Sequence, residues 1–327
     1  MIYSRYSDKC IFCRRMRLAL HIVGLWFSGC KERTAEMEPP PRLDRSRQYK
    51  SPPVPVGQVV ADPAMVKEFF NRVDPCEEIR QEDVVDRCET SWREIKLENG
   101  EILRLGKMIA SGDFGKVFAV NGNDDYIVKF AHAKPEAVKD LCKERLVLEL
   151  LNGLSGAIPR AHKVESNSIV GGCHSQIIVM DKVGELDWKD SVQLIPDAWF
   201  YRRLARLIEV VMSLHDVGFL HADIKGNNIR VNRQNPEKLF LIDFGISLPF
   251  IDKESKHSLV FSRTMDMKHI SKDLLHVYRI PKNSWYDEFQ KEIESLAISE
   301  RPPYEKWIRC FRLLSLPKFR GFRHCPT

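Results

Sequence analysis

In the stretch Phe219 to Val231, a polar loop that carries His221, Asp223, Lys225 and Asn228 sits between apolar runs. A further apolar run, Leu239 to Ile242, opens onto Asp243-Phe244-Gly245, fifteen residues after Asn228. Short runs of branched and aromatic residues beside polar positions read as buried strands with a polar loop held between them. Whatever fold the chain adopts must bury these flanks and still gather five polar side chains at one point.

Those residue types at that spacing have the form of a phosphoryl-transfer loop and its metal-binding partner. Asp223 is placed to accept a hydroxyl proton, Lys225 to neutralise the moving phosphate, and Asn228 to hold Mg²⁺. Asp243 supplies the carboxylate that bridges a metal to nucleotide phosphates. A lone His-x-Asp or a lone Asp-Phe-Gly says little, whereas five positions in register are specific. The competing reading is a hairpin of structural polar residues.

Upstream, Leu103 to Ile109 alternates as a strand and is followed by Ala110-Ser-Gly112-Asp-Phe-Gly115-Lys-Val117. This is a Gly-rich strand-turn-strand in which Gly112 and Gly115 let backbone amides approach phosphates, with Ile109 and Val117 as flanking nucleotide contacts. Tyr126 to Phe130 is a buried strand with one lysine, Lys129, which is costly to bury unless paired. Its partner comes from the helix spanning Lys139 to Leu151, where Glu144 and Glu149 are both available. Lys129 would then hold the α- and β-phosphates while the glutamate orients it. Ser175 to Met180 reads as another strand, and Trp199 to Asp216 as a long helix with Leu204, Leu207, Ile208, Val211 and Leu214 on one face.

Residues about 102–314 resemble a eukaryotic-type protein kinase, most like the casein kinase 1 and vaccinia-related kinase group. The residues that carry the group likeness are Glu144 with Leu150-Leu-Asn-Gly153 and Ile158-Pro159, the run Val179 to Gly184, and His221-Ala-Asp-Ile-Lys225. A late segment adds to it, from Phe289 through Ser295-Leu296 and Glu300-Arg-Pro-Pro-Tyr304 to Trp307. The spacing of Glu144 to Gly153 favours it over Glu149 as the partner of Lys129. The resemblance implies an α+β, bilobal fold with a small β-rich N-lobe and a mainly helical C-lobe. It also implies ATP and Mg²⁺, protein Ser/Thr hydroxyls as acceptors, and a hinge in which Asp181 to Val183 bind the base edge. Met180 either walls the adenine pocket or is a plain core methionine.

Three departures qualify the resemblance. Ala222 replaces an arginine that ordinarily contacts a phosphorylated activation loop, so control by such phosphorylation is not expected. Only 22 residues lie between Asp243 and Asp266, with no Ala-Pro-Glu element, although Ser262 to Asp266 resembles the start of the helix that anchors the catalytic loop. Ala110 stands where the first glycine of the Gly-rich loop is usual. The short segment leaves three functions open: a Ser/Thr protein kinase, a nucleotide-binding scaffold without useful catalysis, and a kinase of a small non-peptide acceptor.

Charge and cysteine usage narrow the class. The net charge of +6 resides in residues 1–50, with 11 Lys/Arg against 5 Asp/Glu, so the remaining 277 residues are neutral overall. That speaks against a nucleic-acid-binding core. Nine cysteines show no zinc-like double pair; Cys10-x-x-Cys13 stands alone, and an odd count does not establish a disulfide framework. Cys142 and Cys173 lie in apolar surroundings and read as buried thiols.

Residues 1–30 have a signal-peptide layout, with Arg14, Arg15 and Arg17 before an apolar run that is too short to span a bilayer comfortably. Met16 is an alternative start, and an amphipathic or disordered extension is the other reading. A true signal implies the secretory pathway or export; otherwise the chain is cytoplasmic. Residues 31–63 read as a disordered Pro-rich linker. Residues 64–94 read as a helical extension, with Met65, Val66, Phe69, Phe70 and Val73 at helical spacing, packed against a domain over 95–314. Lys306 to Arg323 carries six Lys/Arg and no acidic residue, with Phe311, Phe319 and Phe322 interleaved. Such a basic tail, 315–327 beyond the domain, is either a solvated extension or a contact for an acidic surface.

Overall fold

Branched and aromatic residues at alternate positions between 94 and 181 pair into one six-stranded antiparallel sheet. A computed structural model of the chain describes residues 63–91, 94–152, 154, 157–165, 176–184, 198–233, 235, 237–251, 262–275 and 284–319. The readings for residues 1–30, for the linker up to residue 62, for Cys173 and for residues 320–327 lie outside the described residues.

Three short helices precede the sheet, rather than one continuous helical stretch. They are α1 (Pro63–Arg72), α2 (Asp74–Glu77) and α3 (Cys88–Ser91). Pro75 near the start of α2 fixes its own φ and cannot donate to the preceding turn, which separates α2 from α1. The strands are β1 (Glu94–Lys96), β2 (Ile102–Ser111), β3 (Gly115–Asn121) and β4 (Asn123–Ala131). Helix α4 (Pro135–Leu150) follows, then β5 (Ala161–His162) and β6 (Ile177–Asp181). The spatial order is β1-β2-β3-β4-β6-β5.

Alternation along β4 decides what faces the cleft. Val128 and Phe130 point to one buried cluster with Ile95, Leu103 and Val179. Ala131, Ile178 and Met180 belong to the other, with Val138, Leu141 and Leu146 of α4. Lys129 lies out of phase with Val128 and Phe130 and is therefore presented to α4.

The second lobe is mainly helical. Its scaffold is α5 (Ala198–Asp216), whose Leu204, Leu207, Ile208, Val211 and Leu214 are all buried. Then come the short strands β7 (Phe219–Leu220), β8 (Ile229–Val231), β9 (Leu239–Leu241) and β10 (Leu248–Pro249). Helix α6 (Thr264–His269) runs into a π-helical turn, Ile270–Leu275, and α7 (Trp285–Ser295) and α8 (Tyr304–Leu314) complete the lobe. Edge-to-face contacts among Trp285, Phe289, Trp307 and Phe311 seal α7 against α8. A curled sheet lobe joined to a helical lobe is the bilobal α+β architecture expected. No helix among the described residues is long and apolar enough to cross a membrane.

Two expectations are corrected. Residues 306–314 are not a tail: Trp307, Ile308, Cys310, Phe311 and Leu314 are buried in α8. Their basic neighbours face outward onto carboxylates, Lys306 on Glu292 and Arg312 on Glu209. Helical spacing sorts the two residue classes onto opposite faces, a pattern that looked like simple interleaving in sequence. Cys142 is buried but is not a thiol. It forms a disulfide with Cys76 of α2, 66 residues earlier, because the extension packs directly on α4. Cys88 and Cys310 are also disulfide-bonded.

Candidate active site

Two clusters of polar side chains meet where the lobes join. In the first, Lys129 Nζ donates to Glu144 Oε2 at 2.6 Å and to Asp243 Oδ1 at 3.0 Å. Burial alone would push the Lys129 ammonium toward neutrality, but Glu144 and Asp243 more than offset it and hold its pKa well above the usual lysine range. Burial raises the Glu144 carboxyl, Lys129 pulls it down and the second carboxylate raises it again, leaving it above its ordinary value. Asp243 goes the other way: burial would raise it, and the Lys129 charge and hydrogen bond outweigh that and lower it. A charged lysine between two carboxylates, one more acidic than the other, results. Glu149 instead pairs with Arg72, so Glu144 is the glutamate that α4 turns toward Lys129.

The second cluster is the loop between β7 and β8. Lys225 Nζ donates to Asp223 Oδ2 at 2.7 Å, and Asn228 Nδ2 donates to the same oxygen and to the Asp223 carbonyl, both at 2.9 Å. β8 pairs with β9 antiparallel, and Ile242 N donates to Asn228 O at 3.0 Å, which sets Asp243 beside Asn228. Asp243 itself adopts φ +70°, a left-handed conformation that aspartate tolerates better than bulkier residues.

Asp266, at the start of α6, fixes the loop from beneath. Its buried carboxylate accepts from His221 N (2.7 Å), Ala222 N (2.8 Å) and His215 Nε2 (3.0 Å). Ala222 is held at φ +66° by these bonds. Burial would raise the Asp266 carboxyl; the His215 hydrogen bond leads the effects that lower it instead. His221 donates from Nε2 to Ile242 O at 3.0 Å and accepts at Nδ1 from Asp223 N at 3.3 Å. Burial pushes its pKa below the ordinary histidine value, against the pull of Asp266. Asp266 was not among the candidate site residues; the likeness of Ser262 to Asp266 to an anchoring helix was the one signal for it.

The Gly-rich turn closes between β2 and β3, with Gly112 N donating to Gly115 O at 2.9 Å. A Cβ on Gly115 would lie 2.1 Å from the Phe130 carbonyl, so only glycine fits there, whereas one on Gly112 would meet nothing within 4 Å. Val117 pairs directly with Lys129 across β3 and β4. Ile109 is the extra residue where the β2–β3 register slips between Met108 and Ala110, and it is exposed.

At the hinge, Met180 is buried in the core cluster beside Ile178 and α4. Asp181 N donates to Arg160 O and Lys182 N to Asp125 O, while the Asp181 carboxylate pairs with His162. Among the described residues, Val183 is the hinge position whose N–H is not committed in this way. Among the described residues, none of Ile109, Met180, Asp181 and Val183 hydrogen-bonds through its side chain to either polar cluster.

The donors at the junction suit a hard divalent cation. The Asn228 amide nitrogen is spent on Asp223, leaving its amide oxygen as an acceptor; an amide oxygen and the Asp243 carboxylate are the kind of hard donors Mg²⁺ takes together with phosphate oxygens. Among the described residues no group of three or more His, Cys, Asp or Glu gathers as a metal site.

No protein-family model matches the chain. A casein kinase I homolog, RAG8 of Kluyveromyces lactis, is 29% identical over 187 residues, which is 53% of this chain and 32% of that protein. The B1 kinase of Monkeypox virus is 22% identical over 183 residues, 51% of this chain and 55% of that protein. The chain therefore spans from 32% to 55% of these relatives' lengths. A solved structure of vaccinia related kinase 3 superposes with a TM-score of 0.48 at 13% identity, covering 68% of this chain and 89% of that one. Taken with the motifs, the sequence matches make the chain similar to eukaryotic-type serine/threonine protein kinases, most like the casein kinase 1 and vaccinia-related kinase group.

Proposed function

We propose that the chain is an ATP- and Mg²⁺-dependent Ser/Thr protein kinase. The observation that carries this reading is the junction of Lys129–Glu144–Asp243 with Asp223–Lys225–Asn228. Lys129, fixed by Glu144, binds the α- and β-phosphates beneath the Gly-rich turn of Gly112 and Gly115. Asp223 Oδ2 is occupied by Lys225 and Asn228, leaving Oδ1 to accept the proton of a substrate hydroxyl. Lys225 neutralises charge on the phosphoryl group as it moves. Asn228 and Asp243 hold Mg²⁺, which when bound supplies further charge neutralisation across the phosphates. Val183 and the Asp181 carbonyl meet the base edge.

The Cys76–Cys142 bridge supports an oxidising compartment, in keeping with the signal-like layout of residues 1–30. The short segment between Asp243 and Asp266 favours, as a second reading, a small hydroxyl-bearing acceptor in place of a protein. Transfer of labelled γ-phosphate by the full chain, offered casein, itself and a panel of small polyols, separates the two. Label on protein Ser or Thr supports the protein kinase; label on a polyol alone supports the second reading.

A further inference from the structure

The N-terminal extension does more than cover the sheet lobe. It grips α4 at three places and the catalytic-loop strand at a fourth. Cys76 is bridged to Cys142, Glu77 pairs with Lys143 at 2.5 Å, and Arg72 pairs with Glu149. Phe69 of α1 packs edge-to-face on Phe219 of β7, with ring centroids 5.5 Å apart. Val66, Phe69, Cys76 and Ile79 are buried in the same core cluster as Leu141, Leu146 and Phe219.

The side of α4 that is gripped matters. At about 100° per residue, Cys142 and Glu149 lie within roughly 20° of each other around the helix, and Glu144 lies about 200° from Cys142. The extension thus holds the face opposite Glu144 through Cys142 and Glu149 and the flank beside it through Lys143, and any roll or outward swing of α4 that would withdraw Glu144 from Lys129 must break these contacts. Contact with Phe219 ties the same brace to the strand leading into His221 and Asp223.

We propose that Pro63–Ile79 is a built-in brace that positions Glu144 for Lys129, with Arg72, Cys76 and Glu77 as positioning residues of the nucleotide site. The inference rests on the reading of Lys129 and Glu144 as that site. An element that only staples the fold would protect stability without acting through Glu144, and this difference is measurable.

The test is a double-mutant cycle in the full chain, with Cys76→Ser/Cys142→Ser and, separately, Arg72→Gln/Glu77→Gln as brace variants, each with Glu144 and with Glu144→Gln. The second pair keeps the bridge and serves if the first does not fold. kcat/KM for Mg-ATP should fall about tenfold in either brace variant when Glu144 is present. In the Glu144→Gln background it should change by less than about twofold, because the brace acts through that side chain. An equal loss in both backgrounds overturns the proposal. If the wild-type chain transfers no phosphate, the functional reading fails by itself, and the thermal shift on adding Mg-ATP replaces kcat/KM in the same cycle. A chain that neither transfers phosphate nor responds to Mg-ATP overturns both.

Discussion

Replacing Asp266 by asparagine should damage the site without touching any residue that meets substrate. The carboxylate serves three N–H donors, Oδ2 taking His221 N and His215 Nε2 and Oδ1 taking Ala222 N. Asparagine offers one acceptor oxygen. In its best orientation it keeps the two bonds at Oδ2 and turns an NH₂ toward the Ala222 N–H. One buried N–H then loses its partner, at about 1–3 kcal/mol, and the surviving bonds fall from charged to neutral strength, about 1 kcal/mol more. The sum is about 3 kcal/mol. For a domain of this size that lowers Tm by roughly 6–12 °C.

The local consequence is larger than the global one. Ala222 sits at φ +66°, a conformation that costs an L-residue roughly 1–2 kcal/mol and that its bond to Asp266 sustains. Once that bond is lost the backbone relaxes toward negative φ and carries Asp223, the next residue, with it. A displacement of about 1 Å costs on the order of 100-fold in transfer rate. Differential scanning calorimetry and initial rates on Asp266→Asn check both parts. A variant that melts within about 2 °C of wild type and transfers phosphate at a similar rate would refute the anchoring argument.

Other outcomes follow from the same contacts. Cys76→Ser/Cys142→Ser removes a cross-link over 66 residues, worth about 4 kcal/mol by chain entropy, so its Tm should drop by roughly 10 °C under non-reducing conditions. Gly115→Ala should cost about 3 kcal/mol because its Cβ strikes the Phe130 carbonyl, while Gly112→Ala should stay within about 0.5 kcal/mol; chemical denaturation of both decides. The lowered pKa of His221 means that the unfolded chain binds its proton first. Its contribution is fully present above the unfolded value, about 6.5, and is lost as pH falls from there toward the folded pKa. Urea midpoints measured from pH 7.5 to 5 should fall with pH in wild type and fall less steeply in His221→Phe.

The sequence was most legible where chemistry and periodicity coincide. Lys129 could be placed because a lysine inside Tyr126 to Phe130 needs a buried partner, and Asp223, Lys225, Asn228 and Asp243 because their spacing is tied to one strand-loop-strand geometry. The bilobal architecture came with them through the family likeness. What spacing does not encode is long-range contact. Cys76 and Cys142 looked unrelated because their meeting depends on α1 and α2 folding back over α4. Asp266 was hidden for the same reason: its partners, His215, His221 and Ala222, come from earlier segments of the chain. The basic stretch after Lys306 misled because charge is conspicuous in sequence, while the buried face formed by Trp307, Ile308, Phe311 and Leu314 appears only when those residues are wound on a helix.

The central claim is that the two polar clusters form one phosphoryl-transfer site. Labelled γ-phosphate transfer by the full chain with Mg²⁺ and casein, run beside Asp223→Ala and Asp243→Asn, tests it most directly. The account predicts label on Ser or Thr with wild type and a loss of at least about 100-fold in each variant, both remaining folded by circular dichroism. Transfer that survives either substitution unchanged would contradict it.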